Sequence, residues 1–228
     1  FQKVNTRSIS FIRRAELSKA AFEAVAQFGL RATTLEKVGV IAGVSKGVVL
    51  HHFKDKSSLL EAVFRRSNSL LSEAVIELYR YAQNPYERLW AIIFANFYDT
   101  IFNHKVCQAW LALTAEVPHN KQCQRVQTAC HARIHTNLKH ELKMLCNADE
   151  SQKIAKQLGV TIDGIWVRAG LQFTPMPSQQ AIDEVEFVLY RLLIGTKNQK
   201  ILHKSARIKT ENTANILMNS KAFREKAL

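Results

Sequence analysis

The sequence predicts an all-α chain. An N-terminal three-helix helix-turn-helix domain covers residues 10–54, a larger helical domain covers 55–199, and a basic C-terminal tail covers 200–228. Three observations carry this. Alternating β-branched runs and hairpin dipeptides are scarce. Apolar residues recur at three- and four-residue spacing almost throughout. The stretch 33–60, TTLEKVGVIAGVSKGVVLHHFKDKSSLL, reads as two short helices joined by a tight turn and followed by the start of a third.

The elements follow in order. Leu17, Ala21, Ala24, Val25 and Phe28 form the apolar face of a first helix that Gly29 ends. Thr33 or Thr34 caps the second, whose face is Leu35, Val38 and Ala42. Gly43 supplies the turn and Ser45 caps the third helix; Val48, Phe53 and Leu59 are assigned to the core. Asp55 caps a long fourth helix through Leu78. Pro85 opens a fifth to about Phe102, and a sixth spans Cys107 to Glu116, where Pro118 breaks it. A seventh runs from about Asn120 to Cys146 and an eighth from about Glu150 to Leu171. After the loop TPMPS, Ser178 caps a ninth that ends near Gly195. Residues 200–228 are polar and basic, with Ile201, Ile208, Ile216, Leu217 and Phe223 scattered among them. They read as a tail or a short extra helix.

An apolar content of 47% supports a real core. No apolar run approaches the roughly 20 residues that span a bilayer, and the opening residues lack the apolar stretch and cleavage motif of a secretory signal. Cys107, Cys123, Cys130 and Cys146 form no CxxC pair, which favours a reduced, cytoplasmic protein. The net charge of +13 is segregated. Residues 1–66 carry 12 Lys/Arg against 5 Asp/Glu, residues 67–199 carry 13 against 12, and residues 200–228 carry 7 against 2. Positive charge clustered on a helix-turn-helix is what a phosphate-binding surface requires.

Residues TTLEKV, AGVS and HHFKDKxxLL, behind a basic first helix, resemble the DNA-binding domain of TetR-type bacterial repressors over about residues 13–64. NFxxT at Asn96 to Thr100, QAWLA at 108–112 and IDGIWVRA at 162–169 narrow the likeness to the BetI type, the choline-responsive repressors of glycine-betaine synthesis, over about residues 10–195. The resemblance implies a homodimer that binds palindromic operator DNA. It also implies release by a small molecule in the C-terminal ligand-binding and dimerisation domain, here choline or another quaternary ammonium compound. It implies no cofactor, no membrane partner and no enzymatic activity. Two positions depart from the family pattern: Gly39 stands where Ala is usual, and Leu50 where many members have Tyr.

Candidate DNA contacts follow from the geometry of a recognition helix, whose N-terminal side chains reach base edges. Lys46 can donate to guanine, Gly47 permits close backbone approach, and Leu50 and His51 lie one turn on. Thr34 and Ser45 can donate to phosphate at their helix N-termini. The resemblance puts His52 and Lys56 on the phosphate backbone. Arg13 and Arg14, ahead of the first helix, can reach the backbone or an adjacent minor groove.

A quaternary ammonium offers no classical hydrogen-bond donor, so aromatic faces must hold it. Trp90, Phe94, Phe97, Tyr98, Trp110 and Trp166 all lie in the middle of the chain. The candidate cage is Phe97, Trp110 and Trp166 with the carboxylate of Asp163, an i,i+3 neighbour of Trp166; core packing is the plainer use of each ring, and Arg168 is one partner open to Asp163. Ala181, Val185, Val188, Leu189, Leu192 and Leu193 of the ninth helix, with Ile154, Leu158, Ile162 and Ile165 of the eighth, supply a candidate dimer interface. Three readings compete. A metalloenzyme would use His131 and His135 at i,i+4, but no HExxH motif is present and no metal is expected. An architectural DNA binder would lack operator preference. A TetR-type regulator of another cationic or apolar molecule, such as an efflux regulator, is the third.

Overall fold

The structure, a computed structural model, describes residues 6–227, with side chains from 10 to 225. The described residues form α-helices, one 3₁₀ turn and connecting loops, divided between two compact units. The first unit comprises residues 1–69 and 108–128, the second residues 70–107 and 129–228. The first unit therefore reaches past residue 54, through the opening turns of the fourth helix, and takes in a later segment as well.

In the first unit, α1 (Thr6–Ala32) is interrupted at Gly29, whose φ of 76° suits a residue without a Cβ. The expected stop at Gly29 is thus visible as a kink, where the Thr33 hydroxyl donates to the Gly29 carbonyl at 2.8 Å. The helix starts at Thr6, so Arg13 and Arg14 lie inside it rather than ahead of it. Next come α2 (Leu35–Ile41) and α3 (Lys46–His52). Thr34, not Thr33, caps α2 by accepting from the Lys37 amide at 3.2 Å. Ser45 caps α3 by accepting from the Val48 amide at 3.4 Å, and Gly43 turns between the two at φ 67°. Asp55 accepts from the Ser58 amide at 2.7 Å and starts α4 (Lys56–Tyr79). Leu17, Ala21, Val38, Val49, Phe53, Leu59 and Phe64 form the buried core, joined by Ala109, Leu113 and Cys123. Val48 was assigned to that core; its side chain is instead 37% exposed, and Val49 takes the buried position because it faces α1 and α2 on the opposite side of α3.

In the second unit, α5 (Pro85–Phe97) is buried from Tyr86 to Phe97, Arg88 apart. It is opened by Asn84, which accepts from the Glu87 amide at 3.0 Å. It stops at Phe97, short of Phe102, and a tight turn with Tyr98 carbonyl accepting from Ile101 and Phe102 leads on. The helices α6 (His104–Thr114) and α7 (Lys121–Leu142), separated by a 3₁₀ turn at Val117–His119, begin or end in the first unit. Asn147 caps α8 (Ala148–Leu171). Ser178 does not cap α9 (Ser178–Leu193): Pro177 holds that position, and the Ser178 hydroxyl donates to the Phe102 carbonyl at 3.4 Å.

The segment that reads as a tail or a short extra helix is a full helix, α10 (Lys197–Met218), followed by α11 (Lys221–Ala227). Thr196 and Gln199 form a reciprocal capping box at its start. Its inner face is His203, Ala206, Thr210, Ala214 and Met218, packed on α5. The Trp90 indole donates to the His203 carbonyl at 3.3 Å, and the Lys209 ammonium lies 2.7 Å from the Glu87 carboxylate. Arg207 pairs with Glu186 and, at 2.9 Å, with Asp183 of α9.

Candidate nucleic-acid interface and ligand-domain residues

On α3, the outward side carries Lys46, Gly47, Val48, Leu50 and His51, all exposed, while Val49 is buried. The side chains proposed for base contact therefore share one accessible surface, with Leu50 43% exposed. A Cβ added at Gly47 would meet only the Ser45 hydroxyl, at 3.6 Å, so nothing within the chain requires glycine there. Val48 and Val40, the latter 76% exposed on α2, are apolar surface residues that amphipathic spacing alone did not single out. A side chain of this kind suits a thymine methyl.

The flanking candidates divide differently. Thr34 and Ser45 are exposed but act as caps. Arg13 lies on the surface, paired with Glu16 at 2.8 Å. Arg14 donates to the His52 carbonyl, and its guanidinium lies 4.4 Å from the centre of the Phe53 ring, which ties α1 to the end of α3. Lys56 donates to the Leu30 carbonyl at 2.7 Å and fastens the start of α4 to the end of α1. These two cations have structural bonds that sequence spacing could not foresee, because their acceptors are backbone carbonyls 38 and 26 residues away. His52 is half-buried. Burial first, then the positive neighbours His51, Arg14 and Arg13, hold its imidazole below the ordinary value.

The candidate cage residues fall in both units. Trp110 lies in the first, its ring centre 5.4 Å from that of Phe64. Phe97 and Trp166 lie in the second, linked edge-on through Phe102 at 5.2 and 5.1 Å. All three of those rings are buried. Asp163 does not share the Trp166 environment: it is half-exposed, and its carboxylate lies 3.5 Å from His131 of α7. The partner of Asp163 is thus His131 of α7 rather than Arg168. Burial pushes the Asp163 carboxyl up while His131 opposes the shift.

A cavity of the second unit, about 300 Å³, lies among α4, α5 and α7. Leu71, Val75, Ile76, Ile92 and Ile134 provide apolar walls, with Ser72, Tyr79, Asn96, Arg133 and Asn137 as polar members. The sequence reading missed it, since its residues come from three helices and none is unusual alone.

The proposed dimer stripe also changes. Ala181, Val185, Leu189, Leu158 and Ile162 are buried within the chain, where α8 packs on α9. The outward apolar residues are Val160, Val167 and Leu171 of α8 and Phe187 and Leu192 of α9. A Cβ at Gly164, on the same side of α8, would meet nothing within 4 Å. All four cysteines are free thiols, and burial pushes Cys107 up to about 12 and Cys123 up to about 11, so neither is a ready nucleophile. Among the described residues, no group of three or more His, Cys, Asp or Glu side chains is placed to hold a metal ion. No helix there is long and apolar enough to cross a membrane.

Comparison with known proteins agrees with this architecture. Residues 17–63 match the family of bacterial regulatory proteins of the tetR type, and residues 85–193 match the C-terminal domain of BetI-type transcriptional repressors. The chain is 34% identical over 174 residues to the HTH-type transcriptional regulator BetI of Pseudomonas aeruginosa, covering 75% of this chain and 88% of that protein. It is 37% identical over 173 residues to the BetI regulator of Serratia proteamaculans, covering 75% and 87%. A crystal structure of a transcriptional regulator from Rhodococcus shares the fold with a TM-score of 0.70 at 21% identity, over 79% of this chain and 95% of that one. Neither family match extends into α10 or α11. The chain belongs to the TetR family of bacterial regulatory proteins, with a BetI-type C-terminal domain, and is a transcriptional repressor rather than an enzyme.

Proposed function

We propose that this repressor binds a palindromic operator as a homodimer in the cytoplasm and is released by choline, thereby controlling genes that convert choline to glycine betaine. The observation that carries the DNA-reading part is the exposed surface of α3, Lys46 to His51, on a first unit rich in positive charge. Two such helices, related by a two-fold axis, read two half-sites about one helical turn apart. The outward residues Val160, Gly164, Val167, Leu171 and Phe187 support pairing of α8 and α9 with their counterparts. Choline rests on the likeness to the choline-responsive repressors, and Phe97 and Trp166, linked through Phe102 within the second unit, remain its candidate aromatic contacts.

The experiment is a gel-shift titration of the full chain on DNA from betaine-synthesis promoters and on random DNA, with choline, betaine aldehyde or glycine betaine added. The expected result is a preference for the palindrome by orders of magnitude and release by choline. Equal affinity for random DNA would leave an architectural binder. Operator binding without a choline response would leave a TetR-type regulator of another molecule.

A further inference from the structure

We propose that Leu50 is a specificity-determining residue that reads the C5-methyl group of a thymine, so that an apolar contact sets part of this repressor's operator preference. The inference rests on the reading of α3 as the helix that enters the major groove, and its test separates failure of that reading from failure of the contact.

The composition of the exposed face points this way. Of the outward residues of α3, Lys46, Gly47, Val48, Leu50 and His51, three carry no polar side-chain atom. No Arg, Asn, Gln, Ser or Thr occurs in the helix, KGVVLHH. Side-chain hydrogen bonds from this face to base edges are therefore confined to the Lys46 ammonium and the His51 imidazole. An aliphatic carbon in the major groove meets one feature that distinguishes a base pair. That feature is the thymine C5-methyl group, which no other standard DNA base presents there.

Leu50 is better placed for it than Val48. It is 43% exposed against 37%, and its side chain reaches one carbon farther from the helix. The fold does not need Leu50 inside, because Val49 fills the inner side of α3 at 0% exposure and Phe53 closes the helix at 1%. A half-exposed leucine leaves apolar area in water that contact with a methyl group would remove. Lys46, four residues earlier, stands on the same side of α3, with Cβ atoms about 5–6 Å apart at that spacing. Successive base pairs are about 3.4 Å apart, so the methyl group falls within about two base pairs of the base that Lys46 contacts. Gly47 assists the approach. A Cβ there would meet only the Ser45 hydroxyl, at 3.6 Å, so the bare backbone leaves room for a base edge to come close to α3.

The test begins with selection of a preferred duplex from a random pool by the full-length protein. That duplex is then resynthesised with each thymine replaced in turn by deoxyuridine, which removes the methyl group and leaves every hydrogen-bonding atom in place. In an anisotropy titration, at least one such replacement should weaken binding about three- to fivefold, the value of one buried apolar carbon. Leu50→Ala should bind the thymine and uracil duplexes equally well. Leu50→Met, which keeps an apolar side chain of similar reach, should retain most of the parent's ratio. Lys46→Ala should bind both duplexes more weakly and keep the ratio. Thermal melts confirm that each variant is folded. The proposal is overturned if no thymine responds to deoxyuridine, or if the response survives in folded Leu50→Ala. It is overturned equally if the response disappears in Val48→Ala rather than in Leu50→Ala, or if Lys46→Ala loses it as well. A chain that selects no sequence from the pool fails as a DNA reader and takes the inference with it. A chain that selects one and ignores its methyl groups remains a DNA reader without this contact.

Discussion

Arg14 and Phe53 lie 39 residues apart in sequence, yet the Arg14 guanidinium sits 4.4 Å from the centre of the Phe53 ring and donates to the neighbouring His52 carbonyl. The recognition helix is therefore held at its C-terminal end by a residue of α1. Arg14→Ala removes a charge-assisted bond to backbone and a cation–π contact at a largely exposed position, worth about 1 kcal/mol together. The expected outcome is a lower melting temperature and weaker operator binding with an unchanged salt dependence. If Arg14 instead neutralises a phosphate, the slope of log affinity against log salt falls by about one and the melt stays put. Affinity measured across a salt series, beside a thermal melt, separates the two roles.

Lys46 presents the opposite case. It is exposed at the first position of α3, behind the Ser45 cap, and among the described residues no ion pair holds it. Lys46→Ala should leave stability nearly unchanged and weaken operator binding by roughly 1–3 kcal/mol, with relaxed preference at one base pair per half-site. A gel-shift titration against operators substituted one position at a time checks this. Unchanged affinity and unchanged preference would remove Lys46 from base readout.

The helices of the first unit were legible because their punctuation is local. Thr34, Ser45 and Asp55 each cap the helix that follows, and Gly29 and Gly43 adopt the positive φ that their positions suggested. The C-terminal helix was not legible, for a physical reason that inverts the usual rule. The apolar residues Ile201, Ile208 and Ile216 point outward, whereas His203, Thr210 and the small Ala206 and Ala214 are buried against α5. Hydropathy cannot find a face held by ion pairs and an indole–carbonyl bond. The Thr196–Gln199 capping box and the spacing 203, 206, 210, 214, 218 were the available signals. Site residues suffered likewise wherever the partner was distant in sequence. The His131–Asp163 and Lys56–Leu30 contacts join different helices, and the cavity around Arg133 draws on three.

Gly39 stands where Ala is usual in the resembling family, and the turn explains why this chain requires the smaller residue. A Cβ at Gly39 would lie 2.7 Å from the Val44 carbonyl oxygen and 3.4 Å from the Lys46 nitrogen, both backbone atoms. The Val44 amide meanwhile donates to the Gly39 carbonyl at 2.8 Å, which pins the turn against α2. Alanine favours a helix by about 1 kcal/mol over glycine, but overpacking a fixed backbone costs roughly 1–3 kcal/mol. The clash should win. Gly39→Ala is expected to lower the denaturant midpoint and, by moving α3 relative to α2, to weaken operator binding. A midpoint raised by the propensity gain would mean that the turn opens to admit the methyl group.

His203 gives the C-terminal helix a distinct response to acid. The imidazole is 3% exposed; its Nε2 lies 3.0 Å from the Glu186 carboxylate, its Nδ1 has no partner, and its ring packs 5.1 Å from that of Trp90. Tyr86 and Tyr190 face it edge-on, and Arg207, one turn on, pairs with the same Glu186. Burial holds the His203 pKa below 6.5. In the unfolded chain the same imidazole binds its proton near pH 6.5, before the folded protein does. Stability is therefore fully present above that value and is lost as pH falls through it toward the folded value. His52 acts in the same direction, whereas the buried Glu141 carboxyl, pushed up by burial, acts in the opposite one. Both are common to parent and variant and cancel in the comparison. His203→Gln retains a side-chain amide that can donate to Glu186 without a titrating proton. Its melting temperature should fall less than the parent's between about pH 7 and 5. Equal falls would show that the imidazole stays uncoupled from folding, and a larger fall in the variant would show that the charged His203–Glu186 pair stabilises α10.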